Sequence, residues 1–184
     1  MRTLKYAILG LIDRTPMTGY DITREFNSNN LANFWYANHS QVYPELTRLT
    51  NEGLITCEIV NLSDKFEKKL YTITEKGHLE FLEWLRDDEP LPPTPKDVFR
   101  LRMYFSDAMS PEDMMAHLED ALKKHEQKRG RLLSIMEDHY QRKAPETHTP
   151  EYGDFIVLEG AILREDSYIQ WLKNCIARGC TGKD

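Results

Sequence analysis

The sequence predicts a mainly α-helical protein with one small β-hairpin, divided into two domains. Apolar residues recur in steps of three and four along most of the chain, as on one face of a helix. Residues 55–60 largely alternate apolar and polar side chains instead, as in a half-buried strand. Residues 87–95 contain four of the nine prolines, which excludes a continuous helix and favours an extended linker. We therefore predict a first domain over residues 1–86, a linker over 87–95 and a second domain over 96–184.

The composition indicates a globular protein in a reducing compartment. Hydrophobic residues make up 40% and charged residues 29% of the 184 residues, which excludes a disordered chain. No apolar run approaches the roughly 20 residues that a membrane-spanning helix needs, and the N-terminus lacks the profile of a signal peptide. The cysteines Cys57, Cys175 and Cys180 show no C-x-x-C spacing, so we expect reduced thiols. We expect a cytoplasmic protein that does not bind a membrane.

The first domain is predicted to open with three helices. Apolar spacing predicts the first helix over residues 4–12, and the pattern Thr18-Gly19-Tyr20-Asp21 resembles a capping box that opens the second. The third helix begins near Ser40, with Pro44 in or near its first turn, and ends at Gly53. Its buried stripe consists of Val42, Leu46 and Leu49.

A two-stranded hairpin and a fourth helix complete the predicted first domain. The strand at residues 55–60 and a second strand around 70–74 flank a polar excursion, and Thr74 can cap the fourth helix. Three helices followed by a hairpin is the order of a winged helix-turn-helix. In that fold the third helix enters the major groove of DNA and the hairpin tip, the wing, contacts flanking backbone.

Opposite its buried stripe, the third helix presents polar side chains that suit a DNA groove. Glutamine can read adenine, arginine can read guanine, and hydroxyl groups can hold phosphates. The predicted DNA-binding residues are Ser40, Gln41, Tyr43, Pro44, Thr47 and Arg48 on the helix, with Lys65, Lys68 and Lys69 near the tip of the wing. Each residue alone also fits an ordinary solvated surface, but their joint placement favours binding to double-stranded DNA.

Three runs of sequence, residues 18–22, 40–55 and 69–77, resemble the PadR family of transcriptional regulators. The run Tyr-Pro-x-Leu-x-x-Leu-x-x-x-Gly-Leu-Ile, which starts at Tyr43, is the specific part, and the resemblance covers about residues 3–86. It implies a dimeric winged-helix regulator, usually a repressor and often released by a small effector. It also implies that Tyr43 and the wing lysines contact DNA. Thr50 departs from the family, which often has Glu there.

The net charge at first argues against a nucleic-acid binder. The chain carries 24 basic and 30 acidic residues, a net charge of −6, whereas such binders usually show a basic stripe. Residues 1–85 alone hold nine Lys and Arg against eleven Asp and Glu. The positive groups must therefore act locally, through the wing lysines, with Arg2, Lys5 or Arg24 as further candidates. Few phosphate contacts imply a shallow dependence of affinity on salt.

The second domain is predicted to pair two long helices. A short helix over residues 96–107 is followed by a Ser110 N-cap, Pro111 at the first helical position and a helix that reaches about Arg142. Another helix opens at residues 149–150, and both long helices carry an apolar seam suited to antiparallel coiled-coil-like pairing. We assign these seam residues to homodimerisation: Leu118, Leu122, Leu132, Met136, Leu158, Ile162, Ile169, Leu172 and Ile176.

Folding the two long helices back at residues 143–148 places Arg129 opposite Glu165. We expect this ion pair to fix the register of the helices; the alternative is two exposed flanking charges. The pattern leaves open whether the helices pair within one chain or between two chains. This half is similar in helical pattern to the C-terminal domain of the virulence-activator branch of the PadR proteins.

No motif in the sequence predicts catalysis, a cofactor or a metal site. The six histidines are scattered without a clean i, i+4 pair, and no Gly-rich phosphate loop or nucleophile motif is present. A small aromatic effector could bind near the aromatic groups at residues 34–36 and 99–105, although such residues more often serve packing. The sequence thus predicts a homodimeric, sequence-specific repressor. The alternative is a winged-helix module for protein–protein assembly.

Overall fold

The N-terminal helices follow the predicted order. The computed structural model describes residues 2–28, 30–61, 67–91 and 93–181. The chain divides into two compact units, Met1–Leu91 and Pro92–Asp184, and the division falls within the proline-rich segment. The elements of the first unit are α1 (Thr3–Arg14), β1 (Met17–Thr18), α2 (Gly19–Ser28), a 3-10 turn (Asn30–Asn33), α3 (His39–Asn51), β2 (Ile55–Asn61), β3 (Glu67–Ile73) and α4 (Glu75–Arg86).

The sheet of the first unit has three strands, one more than the predicted hairpin. Its order is β1-β3-β2, and both neighbouring pairs are antiparallel. The additional strand β1 pairs Met17 with Tyr71 and Thr18 with Leu70. Two residues are too few to show an alternating pattern, so the sequence held no periodic signal for this strand. The strand nevertheless ties the start of α2 to the wing, which β2 and β3 form.

The core of the first unit lies between the three N-terminal helices and the base of the wing. Its buried apolar side chains are Ile8, Leu9, Ile12, Ile22, Phe26, Ala37, Val42, Leu46, Leu49, Leu54, Ile55 and Tyr71. The predicted stripe of the third helix is completely buried within this cluster. Gly53 ends the third helix with a left-handed φ of 69°, as its predicted capping role requires. Packing against a single core therefore holds the solvent face of α3 in a fixed orientation.

Two predicted helix caps are present, and α3 begins one residue before the predicted start. The Thr18 hydroxyl accepts a hydrogen bond from the Asp21 N–H at 3.2 Å, and the Thr74 hydroxyl accepts one from the Gly77 N–H at 3.1 Å. The third helix starts at His39, because Asn38 serves as its N-cap. Pro44 is consequently the sixth residue of α3 and lies beyond the first turn.

Every regular element among the described residues of the second unit is a helix. It contains α5 (Val98–Tyr104), a 3-10 turn (Ser106–Ala108), α6 (Pro111–Tyr140) and α7 (Pro150–Thr181). The Ser110 hydroxyl accepts a hydrogen bond from the Asp113 N–H at 3.0 Å, and Pro111 occupies the first position of α6, as predicted. The left-handed residue Gln141 ends α6. The two long helices pack against each other as an antiparallel pair within one chain.

The seam residues that we assigned to dimerisation pack inside this intrachain pair. Two clusters contain all of them except Ile169, one around Leu132 and Leu158 and one around Leu118 and Leu172. Leu118, Leu132, Met136, Leu158, Ile162, Ile169 and Leu172 are buried, and Leu122 and Ile176 are half-buried. In both clusters, side chains of α6 and α7 pack against each other within one chain, so these residues do not present a free surface to a second chain. The seam stabilises the hairpin itself.

The predicted ion pair between Arg129 and Glu165 is wrong. Glu165 is buried and binds Lys128 Nζ at 2.6 Å and His125 Nδ1 at 2.5 Å, whereas Arg129 binds Asp166. Successive helical residues point about 100° apart, so Arg129 at the edge of the seam reaches the flanking Asp166. Burial raises the pKa of Glu165, but hydrogen bonds from Lys128 and His125 outweigh this effect and hold the pKa below its ordinary value. Glu165 therefore stays ionised.

The described residues contain no candidate membrane span and no candidate metal site. In that part of the chain, no helix is both long enough and apolar enough to cross a membrane. The same residues bring together no group of three or more His, Cys, Asp or Glu side chains that could hold a metal ion. The thiols of Cys57 and Cys175 are free.

Candidate nucleic-acid interface

Helix α3 separates its buried stripe from a solvent-exposed face. We call this the outer face of α3. Every predicted DNA-binding residue of the helix lies there and is exposed, and the side chain of Tyr43 is 43% exposed. The residues of the outer face are Ser40, Gln41, Tyr43, Pro44, Thr47 and Arg48. The helical period that buries three apolar residues therefore also gathers these polar residues on one accessible surface.

Tyr43 is held in place by two contacts. Its ring stacks on the His39 ring with the centroids 5.5 Å apart. Its other neighbour is Gly19 at the start of α2, where an added Cβ would lie 2.9 Å from Tyr43 Cε1. A larger residue at position 19 would displace the tyrosine ring from this position, so Gly19 supports the observed placement of Tyr43. Sequence reasoning treated Gly19 as part of a helix cap and missed this supporting role.

Several polar groups of the outer face already have partners within the chain. Gln41 Oε1 accepts a hydrogen bond from the Asn38 N–H at 3.2 Å, and the Ser40 hydroxyl donates to Asn38 Oδ1 at 2.6 Å. The Thr47 hydroxyl donates to the Tyr43 carbonyl at 3.1 Å. Gln41 and Ser40 thus help to cap α3, a role that the sequence analysis did not assign to them. Reading adenine would require Gln41 to exchange its cap contact for a contact with the base.

Arg48 donates a hydrogen bond to the buried carboxylate of Glu45. Glu45 lies on the inner side of α3, its side chain is 5% exposed, and its Oε2 accepts a hydrogen bond from Arg48 Nη1 at 3.2 Å. Its Oε1 accepts two hydrogen bonds from Arg2. Sequence reasoning missed Glu45, although an acidic residue within a buried helical stripe, three positions before an arginine, was an available signal.

The additional cations proposed for DNA binding are engaged elsewhere. Arg2 binds Glu45 and Glu52, and these hydrogen bonds raise the pKa of its guanidinium. Lys5 is nearly buried and binds Glu80, while Arg24 binds Asp21 at 3.2 Å. The hydrogen bond from Arg2 in turn lowers the pKa of Glu52. The ion pairs of Arg2 and Lys5 join the start of α1 to other helices, whereas that of Arg24 lies within α2. A carboxylate beside each cation reduces the positive potential that it offers to phosphates.

Two of the three predicted wing lysines lie within the described residues. Lys68 and Lys69 are exposed on β3, opposite Val60 and Ile59 of β2. Consecutive strand residues point to opposite faces, so the two lysines point away from each other and cannot make equivalent contacts with one duplex. Lys65 lies outside the described residues.

The comparisons with known proteins identify both halves of the chain. Residues 8–83 match the transcriptional regulator PadR-like family, and residues 95–178 match the family described as virulence activator alpha C-term. The negative transcriptional regulator PadR of Bacillus subtilis is 40% identical over 178 residues, covering 96% of this chain and 97% of that protein.

Solved structures of the Bacillus subtilis protein share the fold over the same extent. Its crystal structure in complex with operator DNA has a TM-score of 0.90 and 39% identity, covering 97% of this chain and 99% of that one. Its complex with p-coumaric acid has a TM-score of 0.84, with the same identity and coverage. The matches extend across the winged-helix unit and the helical unit alike, and this chain therefore belongs to the PadR-like family of transcriptional regulators.

Proposed function

We propose that this protein is a repressor that binds operator DNA through the outer face of α3 and the wing. The observation that carries the proposal is the exposed, pre-oriented outer face in a chain whose fold matches the operator complex of a 39% identical relative. A helix of this kind places its side chains against base edges, while wing lysines neutralise nearby phosphates.

Tyr43→Ala is expected to weaken binding to the chain's own promoter DNA by about 1–3 kcal/mol, in the range of a specific contact. A gel shift or fluorescence anisotropy titration measures the change. Tyr43→Phe keeps the ring on Gly19 and removes only the hydroxyl, so it separates ring packing from hydrogen bonding. Wild-type affinity in Tyr43→Ala would show that the outer face is not the reading surface.

The wing lysines are tested singly, because they point to opposite faces. If a wing lysine contacts a phosphate, its replacement by alanine should reduce the slope of log K against log salt concentration by about 1. The exposed Lys123 of α6 provides the matched control, since Lys123→Ala removes the same charge outside the interface. The wild-type slope itself should be modest; a steep slope would contradict an interface with few phosphate contacts.

The competing function is a winged-helix module for protein–protein assembly. It predicts that the protein shows the same weak affinity for promoter DNA and for unrelated DNA. Specific retention of a promoter fragment excludes it, and a footprint on that fragment identifies the operator. The exposed polar face favours the DNA-binding proposal over this alternative.

Homodimerisation belongs to the same proposal, since two copies of α3 can read a two-fold operator. The buried seam is occupied, so the dimer needs another surface. The second unit exposes Val98, Leu101, Tyr104 and Phe105 close together on and just after α5, and such an apolar patch favours burial against a partner. Sedimentation of Leu101→Asp/Phe105→Asp should show monomers where the wild type forms dimers. A dimeric double variant would place the interface elsewhere.

A small aromatic acid is the proposed effector, because the Bacillus subtilis relative was crystallised with p-coumaric acid. Of the aromatic groups considered from the sequence, Trp35 packs on the first core and Phe99 contacts the Trp171 ring edge-on. An open cavity of about 460 Å³ between α1 and α4 is a poor site for an anion, because Glu80, Glu83 and Asp87 line it against Lys76.

Addition of p-coumaric acid is expected to release the protein from promoter DNA in the same binding assay. Hexanoic acid, which carries the same charge without a ring, is the control and should leave the complex intact. Release by both acids would indicate a general anion effect, and release by neither would remove aromatic acids from the proposal.

A further inference from the structure

Glu45 connects Arg2, which precedes α1, to the outer face of α3. Arg2 donates to Glu45 Oε1 from Nε at 3.0 Å and from Nη2 at 2.5 Å, and to Glu52 Oε1 from Nη1 at 2.6 Å. A buried carboxylate is strongly unfavourable unless cations or hydrogen bonds compensate it. Because Arg2 supplies most of this compensation, the second oxygen of Glu45 remains available to hold Arg48.

Arg48 is restrained through one terminal nitrogen of its guanidinium group, and most of its side chain is exposed. One guanidinium nitrogen donates to Glu45 Oε2 at 3.2 Å, yet the arginine side chain is 62% exposed. An arginine that reads guanine must place a planar pair of N–H donors against O6 and N7 of the base. A flexible side chain loses rotamer freedom when it adopts that geometry, and a restraint already present in the free protein reduces this loss.

We propose that Glu45 is a specificity-determining positioning residue that presents Arg48 to a base edge of the operator. The proposal rests on the proposed DNA-binding function and deepens it. Glu45 itself is too buried to touch DNA, and its negative charge opposes phosphate binding. Its contribution should therefore appear as discrimination between operator and non-operator DNA, and not as general affinity.

The test compares the ratio of operator to non-operator affinity in Glu45→Gln and in the wild type. We expect operator affinity to fall about three- to tenfold, as the release of one restrained side chain predicts, while non-operator affinity does not fall. Loss of folded protein would lower both affinities together. A fall in operator affinity alone therefore distinguishes a positioning role from a merely structural one. Glu52→Gln is the matched control, because Glu52 shares Arg2 with Glu45 and should leave the ratio unchanged.

A double-mutant cycle with Arg48→Ala tests whether Glu45 acts through Arg48. In the Arg48→Ala background, Glu45→Gln should leave the ratio unchanged. The inference is overturned if Arg48→Ala alone leaves the ratio at the wild-type value, or if Glu45→Gln lowers it equally in both backgrounds. The measurement on Arg48→Ala alone tests the inference even if the Glu45 variants do not fold. If thermal unfolding shows that Glu45→Gln is unfolded at the assay temperature, Glu45→Asp repeats the cycle with the charge retained.

Failure of the wider function gives a different result. A wild-type protein without preference for any promoter fragment would remove the proposed DNA-binding function, and the role of Glu45 with it. A wild type that prefers its operator, combined with either overturning outcome above, would remove only the role of Glu45.

Discussion

Gly77→Ala is expected to destabilise the first unit by about 3 kcal/mol or more, the upper range for an overpacked site. A Cβ at this position in the first turn of α4 would lie 2.0 Å from the carbonyl oxygen of Leu54. That oxygen cannot rotate away, because it belongs to the backbone and accepts a hydrogen bond from the Thr74 N–H at 3.0 Å. The added methyl group must therefore separate α4 from the turn between α3 and β2.

The turn around Leu54 explains why this separation also affects the proposed interface. The Thr74 hydroxyl donates to the Gly53 carbonyl at 2.8 Å, and Lys76 Nζ donates to the Glu52 carbonyl at 2.8 Å. The start of α4 thus satisfies carbonyl groups at the end of α3. Loss of these contacts frees the end of α3 and the base of the wing, so operator affinity should fall together with stability.

Urea unfolding followed by tryptophan fluorescence measures the effect, since Trp84 lies on α4 and reports on the first unit. Gly130→Ala in α6 is the control, because an added Cβ there meets nothing within 4 Å. That substitution should stabilise the protein by about 0.5–1 kcal/mol, the usual gain of alanine over glycine inside a helix. A Gly77→Ala protein as stable as the wild type would show that the close approach of α4 to Leu54 is not required.

Leu172→Ala is expected to cost about 2–5 kcal/mol, the range for removing a large aliphatic side chain from a core. Leu172 on α7 is 0% exposed and packs with Leu118 and Ala121 of α6. Replacement by alanine leaves a cavity where the two long helices meet and where Phe99 and Met103 of α5 also pack. The second unit has no sheet among its described residues, so the loss falls directly on the pairing of α6 and α7.

Circular dichroism at increasing urea measures this loss, because α6 and α7 contribute most of the helix. Leu163→Ala is the matched control on the same helix: Leu163 is 59% exposed, and its truncation should change stability by less than about 0.5 kcal/mol. Equal effects of the two substitutions would mean that Leu163 is covered by a second chain in solution. No effect of either would contradict the intrachain hairpin.

The periodic elements of the fold were predictable because hydrophobic spacing is a local property of the chain. The helices at Thr3–Arg14 and Pro111–Tyr140 follow from repeats of three and four, and Thr74 and Ser110 were identified as caps from residue type and position. The short strand Met17–Thr18 was not predictable in this way. It exists because β3 offers an unpaired edge, which the residues before α2 reach only in the folded chain.

The candidate interface was predictable as a surface but not as a set of contacts. The spacing of Val42, Leu46 and Leu49 alone implies which residues of α3 face solvent. The support for Tyr43 comes from Gly19 and that for Arg48 from Glu45, and Glu45 depends in turn on Arg2. The longest of these contacts joins residues 43 positions apart, so no local pattern could reveal it.

Heptad spacing in the second unit predicted the pairing of its two long helices, which the structure shows within one chain. An apolar seam is equally suited to pairing within one chain or between two chains, because both bury the same side chains. Within the chain, α6 and α7 bury the seam residues between them. Arg129 binds Asp166 and not Glu165, because of the direction in which its side chain points. Pairing residues of two helices by residue number alone does not take into account where each side chain points around its helix axis.

The residue order of this protein suffices for its mainly helical class, its division at the prolines, its resemblance to PadR regulators and its exposed polar helix face. Each of these depends on the spacing or type of residues near one another in the chain. Tertiary structure was needed for the third strand, for the partners of the buried charges Glu45 and Glu165, and for the intrachain use of the helical seam. The reason is physical: a buried carboxylate or an apolar stripe must be matched by some partner, but only the packed chain selects which one.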